Sequence, residues 1–511
     1  MMSYLITTYM LLGQAFWAES FGTPGWDGAH SIIQTTDGGY AIAGMTYYPN
    51  NDEDCLLLKI TPTGSLSWAK RYGTGYGEWP YSIIQQPDGG YLMVCDGVAG
   101  AGNRDLLILK LTSGGSLSGA LGFGSWDSER PHDMIRASDG GYILTGSSYR
   151  WDFGDSDVLI VHLNSSGQPD WAKFYRTSLE DIGYAVIQNP DNSYIIAGTV
   201  AERVDPEDTP YDNFLVIKVA SDGSLIWARS FGNIIDYEER ARSVVRTPDG
   251  GYLVGGERAP VGCSTDLLLI KLGPDGSLTW AKTYGTSSYD FLYSMLVEPD
   301  GSCVILGASG PLLLLKIASD GRLIWSKTLT LSGTMLVDAG FGRNALIRSA
   351  DGCYLIVGEI RGPGFEIGDI FVLKVKSDGE YPGCLQDQSL AVSDVFLPSG
   401  VPSGWLIDCS GSLVYPALAT SDPALTVRYI CAPVYEDAEE ATHEFYQPIS
   451  CSVAHGGIRV LSRIKTGIMI YSSDGRLIYS GELTEGENKI PLEQGVYIWV
   501  AGKLMGKVAV R

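Results

Sequence analysis

The tetrapeptide DGGY and its variants recur seven times, with fourth residues at Tyr40, Tyr91, Tyr142, Tyr194, Tyr252, Cys303 and Tyr354. The intervals are 51, 51, 52, 58, 51 and 51 residues. A repeat of this length, filled with strand-like runs, restricts the chain to a propeller or a solenoid before any other feature is read.

The first repeat shows what a unit contains. Four short apolar runs, SIIQ, YAIAGMT, CLLLKI and SLSWAKRY, are separated by the turns TTDGG and TPTG and by one variable loop. Their length, their Leu, β-branched and aromatic content and the Gly/Asp/Pro boundaries read as strands. Four antiparallel strands in about 51 residues make a propeller blade. Each second turn ends in a glycine suited to a left-handed backbone: Gly64, Gly115, Gly167, Gly223, Gly276, Gly321 and Gly379. The fourth run carries Trp68, Trp171, Trp227, Trp280 and Trp325, with Gly119 in the second repeat. The seventh repeat stops at Gly379 without a fourth run, and residues 16–22, FWAESFG, supply the missing sequence at the other end of the chain. The expectation is an all-β, seven-bladed β-propeller over residues 16–380. Its N-terminal strand closes the last blade and hides a sheet edge.

Net charge is −23, with acids spread along the chain and no basic stripe, so nucleic acid is excluded as a partner class. Residues 1–15 read as a secretory signal peptide, a short apolar run ending in Gly-x-Ala. No other run is long enough to serve as a transmembrane anchor. Nine cysteines make an odd count, whose pairing spacing does not give. Cys384 and Cys431 bracket a stretch beyond the repeats and form the preferred pair; Cys409 and Cys451 also lie beyond them. Cys95 occupies a slot that is Gly44, Gly146, Gly198, Gly256, Gly307 or Gly358 elsewhere, and reads as a buried free thiol.

Residues 381–442 lack the blade pattern and read as a loosely packed, β-rich spacer. Residues 443–511 alternate as short strands with a hairpin turn at Asp474-Gly475. This segment holds Ile470-Tyr471, Gly475-Arg476, Gly495-Val496-Tyr497 and a terminal Lys507-Val508-Ala509-Val510-Arg511. In that order these elements resemble the C-terminal (Por) sorting domain of the type IX secretion system; the opening YPNP of that family is absent here. The resemblance implies a small β-sandwich recognised by the export machinery, and a secreted or outer-membrane-surface protein. The repeats are similar to exported seven-bladed propellers that often precede such domains, a group that implies a fold and no general activity.

The turns within strand pairs one–two and three–four are short and nearly constant, whereas the other loops vary and share one face of an up-and-down ring. Variable loops on a rigid scaffold are where binding resides. Three features fall there. An acid stands 13 residues before the DGGY tyrosine in six repeats, Asp27, Glu78, Glu129, Asp181, Glu239 and Asp290. This set reads either as loop caps or as a ring of carboxylates at the channel mouth, able to hold calcium or to supply a catalytic pair; no other cofactor is implied. Ten residues before the tyrosine stand His30, Tyr81, His132, Tyr184, Arg242, Tyr293 and Asn344, a channel-lining series too dispersed for a metal centre. Trp26, Trp79, Trp126 and Trp151, with Tyr76 and Tyr149, lie outside the repeating Trp position. Blade packing does not require them, and exposed rings stack on sugars or anchor proteins. No GxSxG, P-loop, HExxH or paired CxxC is present in a suitable setting. Asp54, Asp105, Asp157, Asn213, Asp266 and Asp369, each five residues before a Lys or His, read as strand-start caps and edge charges.

The expected function is non-enzymatic binding of a glycan or protein ligand through the variable face. A propeller-based carbohydrate-active enzyme and a structural cell-envelope component remain the alternatives.

Overall fold

The computed structural model describes residues 17–379 apart from positions 24, 48–52, 74–76, 98–103, 125–126, 152–153, 178, 203–209, 233–236, 261–263, 287, 330–334, 339–343 and 363–364. Beyond them it describes residues 385–387, 391–394 and 399–400, and strands between 449 and 510. Residues 1–15, read as a signal peptide, and Cys384, Cys409 and Cys431 lie outside the described residues. Among the described residues no helix is long and apolar enough to cross a membrane.

Seven antiparallel sheets follow one another along the chain. Blade 1 consists of Asp27–Gln34, Tyr40–Thr46, Asp54–Ile60 and Leu66–Tyr72, paired in that order. Blades 2 to 6 repeat the plan, and each second strand opens on the last residue of a DGGY variant. In blade 7, Met335–Asp338 and Leu346–Arg348 pair with Tyr354–Gly362, which pairs with Phe365–Val375. Trp17–Phe21 then adds as its fourth strand, in the register Trp17 to Lys374 and Phe21 to Ile370. The seven-bladed ring closed by the N-terminal strand is therefore the architecture.

Local chemistry explains the repeat. Asp37 Oδ1 accepts from the Gly39 amide at 3.0 Å, and Gly38 between them has φ 83°. The DNSY variant keeps the conformation with Asn192 at φ 63°, Asn being the residue that best tolerates it after glycine. Lys59 Nζ reaches back to Asp37 at 2.9 Å, and Lys271 to Asp249 at 2.8 Å. His162 does the same to Asp139 at 3.0 Å. The Lys59 and Lys271 stems are buried and their charge ends at the DGGY acid, rather than at a sheet edge as read from the sequence. The acids at the start of the same third strands pack on glycines: Asp54 against Gly73, Asp105 against Gly124 and Asp266 against Gly285.

The core lies between blades. Ala41, Leu57, Ile83, Met93 and Leu109 form one wedge between blades 1 and 2, and comparable wedges fill the other boundaries. Second and third strands are buried on both faces, so they read as continuous apolar runs. At the outer edge, the fourth-strand Trp of one blade covers the positive-φ glycine of the next. Trp68 lies on Gly115, Trp171 on Gly223, Trp227 on Gly276, Trp280 on Gly321 and Trp325 on Gly379. Trp17 lies on Gly64, which carries the pattern across the seam. Gly119 breaks it, and Gly167 faces only Leu92.

The stretch expected to be a loose spacer contributes strands to the ring. Leu385–Asp387 pairs with the outer strand of blade 6, Ala391–Asp394 with that of blade 5 and Ser399–Gly400 with that of blade 4. A second compact unit spans Glu439–Arg511. It has a three-stranded sheet, Ile449–Ala454, Gly457–Ser462 and Gly486–Pro491, and a four-stranded one containing Thr466–Ser472, Leu477–Leu483, Gly495–Ala501 and Leu504–Val510. Gly495, Val496 and Tyr497 open one strand of the second sheet and Lys507 lies on its neighbour, opposite Ile498. Gly475, Arg476 and Arg511 lie outside the described residues.

Candidate functional site

Innermost strands begin at the variable face and run down the channel. In six blades the register slips by one residue at the same place, between Ala29 and Ser31, Pro80 and Ser82, Pro131 and Asp133, Gly183 and Ala185, Ala241 and Ser243, and Leu292 and Ser294. The bulged residues are His30, Tyr81, His132, Tyr184, Arg242 and Tyr293. A bulge re-aims a side chain out of the pleat. Each sits three residues after one of the six acids Asp27, Glu78, Glu129, Asp181, Glu239 and Asp290, about 10 Å further along the strand.

Four of these side chains touch in sequence order. Tyr81 and His132 are edge-to-face at 5.6 Å, His132 and Tyr184 tilt at 4.9 Å, and the Arg242 guanidinium lies 4.7 Å from the Tyr184 ring. His30 packs 6.2 Å from Trp79, and its Nδ1 is 2.6 Å from the Pro80 carbonyl oxygen. Asn344 holds this position in blade 7 and joins it to blade 1, its backbone carbonyl accepting from the Ile32 amide at 2.9 Å.

Acids on the second strands hold this collar. Asp96, Glu257 and Glu359 occupy one repeat position, five residues after the DGGY tyrosine or its equivalent, and all are buried. Glu257 accepts from Arg242 Nε at 3.0 Å. Asp96 accepts from Arg104 at 2.8 Å and from Tyr81 Oη at 3.4 Å. Burial pushes the Asp96 carboxyl up and Arg104 pulls it back only in part. Glu359 accepts from Trp26 Nε1 and Arg361 Nε. Nearby, burial works against ionisation of Glu53, but Tyr47, Trp79 and Arg104 outweigh it and hold the carboxyl below its usual range. The collar thus offers aromatic faces and guanidinium planes whose charge is already neutralised. Such a surface suits ring-shaped, weakly charged ligands.

The six acids at the strand starts are fully buried. Asp27 accepts from the Thr23 amide at 2.5 Å, Asp290 from the Thr286 amide at 2.7 Å, and Asp181 from the Thr177 amide. Glu129 accepts from Ser148 at 3.2 Å and Glu239 pairs with Arg258 at 3.4 Å. Glu78 is fixed through its own amide, which donates to the Glu53 carbonyl at 2.7 Å. Burial pushes the Asp27 carboxyl up to about 6 and the Asp181 carboxyl up to about 8. Asp27, Asp181 and Asp290 thus have the geometry of loop caps, whereas Glu129 and Glu239 are held by side chains. Among the described residues no three metal-ligating side chains converge.

The non-repeating aromatics divide. Trp26 is half-buried, 5.0 Å from Tyr47 and 5.5 Å from the Arg361 guanidinium. Trp79 belongs to the collar. Trp151 is 62 % exposed, with Tyr149 against it edge-to-face at 5.1 Å. Trp126 and Tyr76 lie outside the described residues. Sequence reading placed the collar position in the channel but missed Asp96, Glu257 and Glu359. Their shared repeat position was the available signal.

Comparison with protein families finds no match, and comparison with curated proteins finds none. Among solved structures, the Dos1 propeller is 7% identical with a TM-score of 0.41, covering 68% of this chain and 77% of its own. The Pan2 WD40 domain of Neurospora crassa is 8% identical with a TM-score of 0.40, covering 69% of this chain and 90% of its own. A puromycin hydrolase is 15% identical with a TM-score of 0.40, covering 67% and 50%. Scores at this level assign neither family nor activity.

Proposed function

We propose that the chain is an exported, non-enzymatic binding module that takes a glycan through the variable-loop face of its propeller. One observation carries the reading. Trp151 is exposed on that face with Tyr149 braced against its edge, although no core needs it there. A sugar presents an apolar C–H face that a Trp ring covers, and a ring held by an edge-to-face neighbour loses little freedom on binding. The collar, on the same face, supplies further rings and hydrogen-bonding Arg and Tyr groups for a chain end entering the channel. In this reading the C-terminal unit directs type IX secretion, on the strength of Gly495-Val496-Tyr497 and the terminal Lys507 to Arg511 run.

The test uses the full chain, incubated with soluble and insoluble polysaccharides while retained protein and released sugar are both measured. Retention without release is expected, weakened at least tenfold by Trp151→Ala with unchanged thermal stability. Unchanged retention by that variant overturns the site. Released sugar, lost on Glu78→Gln or Glu129→Gln, overturns the non-enzymatic reading. No retention on any polysaccharide overturns glycan as the ligand and moves attention to protein partners or self-association.

A further inference from the structure

We infer that Cys55 and Cys95 form a disulfide that staples blade 1 to blade 2, made by a small-molecule disulfide oxidant. Cys55 lies on the third strand of blade 1 and Cys95 on the second strand of blade 2; both are buried free thiols in the structure, as read for Cys95 from the sequence, and their sulfurs are 3.0 Å apart. A disulfide bond is about 2.05 Å long, so closure asks for a shift of about 1 Å. Both side chains are fully buried in the wedge with Ala43, Leu57, Met93 and Leu107.

The repeat supplies an independent argument. At the Cys55 position the other blades carry Leu106, Val158, Phe214, Leu267, Leu312 and Ile370, all larger. At the Cys95 position every other blade carries glycine. Those glycines have a reason. A Cβ at Gly44, Gly146, Gly198, Gly256 or Gly307 would meet an inner-strand carbonyl oxygen at 2.2, 2.0, 1.9, 1.9 and 2.4 Å. Blade 2 alone accommodates a side chain there. Two departures from a seven-fold pattern, one large-to-small and one from an otherwise fixed glycine, meet sulfur to sulfur.

The chemistry balances with glutathione disulfide. One protein thiolate attacks it and displaces a glutathione thiolate. The second protein thiolate attacks the protein sulfur of the mixed disulfide and displaces the other. The two protein protons end on the two glutathione thiols. Burial, with each sulfur beside the other, pushes the Cys55 thiol well above its ordinary range, so exchange belongs to the folding chain before the wedge closes.

The experiment refolds the full chain from denaturant with oxidised and reduced glutathione. It is then unfolded in iodoacetamide and digested without reductant for mass spectrometry. The expected result is a linked pair of peptides holding Cys55 and Cys95, lost on reduction. The oxidised protein should melt roughly 3–8 °C above the reduced one. Cys95→Gly restores the residue of the other six blades, so the ring should form; it should lose the linked pair and that part of the shift. Protein that regains its native circular dichroism with both cysteines alkylated, or linked to other cysteines, overturns the inference.

Discussion

The boundary between blades 1 and 2 and the boundary between blades 2 and 3 share a backbone plan and differ in their clasp. At the first, Trp68 lies over Gly115, whose φ is 81°. At the second, Gly119 replaces the Trp, and Gly167, at φ 82°, faces only a Leu92 methyl group. The turn keeps its left-handed glycine in both cases. The glycine is therefore required first by the turn, and the Trp is an addition that uses the flat surface a glycine leaves. The wedge of buried aliphatic side chains holds the unclasped boundary without it.

That comparison can be broken most forcefully at the seam. Trp17 covers Gly64 and sits 6.4 Å from Tyr40, while its strand pairs through the backbone with Phe365–Val375 as the fourth strand of blade 7. Trp17→Ala should cost about 3 kcal/mol and lower the urea midpoint measurably. A change below about 1 kcal/mol would mean that strand pairing alone closes the ring. The next test separates turn from clasp. Gly167→Ala should cost about 1–2 kcal/mol for the left-handed backbone alone. At Gly115 a Cβ would lie 2.7 Å from the Trp68 ring, so Gly115→Ala should cost about 1–3 kcal/mol more. Equal losses in chemical denaturation would remove the Trp from the account. The smallest expected effect is a gain. A Cβ at Gly119 meets nothing within 4 Å, and Gly119→Trp should stabilise the protein by about 1 kcal/mol by rebuilding the absent clasp. Destabilisation would show that blade 2 has adjusted its outer strand to do without it.

Much of the fold was legible because the repeat aligns chemistry with position. The DGGY turn, the second-turn glycine and the fourth-strand Trp each recur at one place, and the fragment FWAESFG announced the closure. Less of the site was legible. The bulge at His30, Tyr81 and Tyr184 leaves no residue signature, since it is a mismatch of strand lengths rather than a choice of side chain. Asp96 and Glu359 look like ordinary polar residues until the neighbouring blade brings Arg130 or Trp26 against them, and Glu257 until the bulge turns Arg242 of its own blade onto it. The strands Leu385–Asp387, Ala391–Asp394 and Ser399–Gly400 escaped notice because an added edge strand is held through its backbone, which any sequence carries.

Those three strands also set an order of mechanical loading. The chain leaves blade 7 and passes blades 6, 5 and 4 in turn, against the direction in which the ring was built. Tension on the polypeptide beyond residue 400 is met first at blade 4, then at blade 5, then at blade 6. Only when all three have peeled away does it reach the seam where the two ends of the ring are joined. The arrangement works as a strain relief does on a cable: whatever tugs at the downstream unit spends its force on short, replaceable contacts before it can open the wheel.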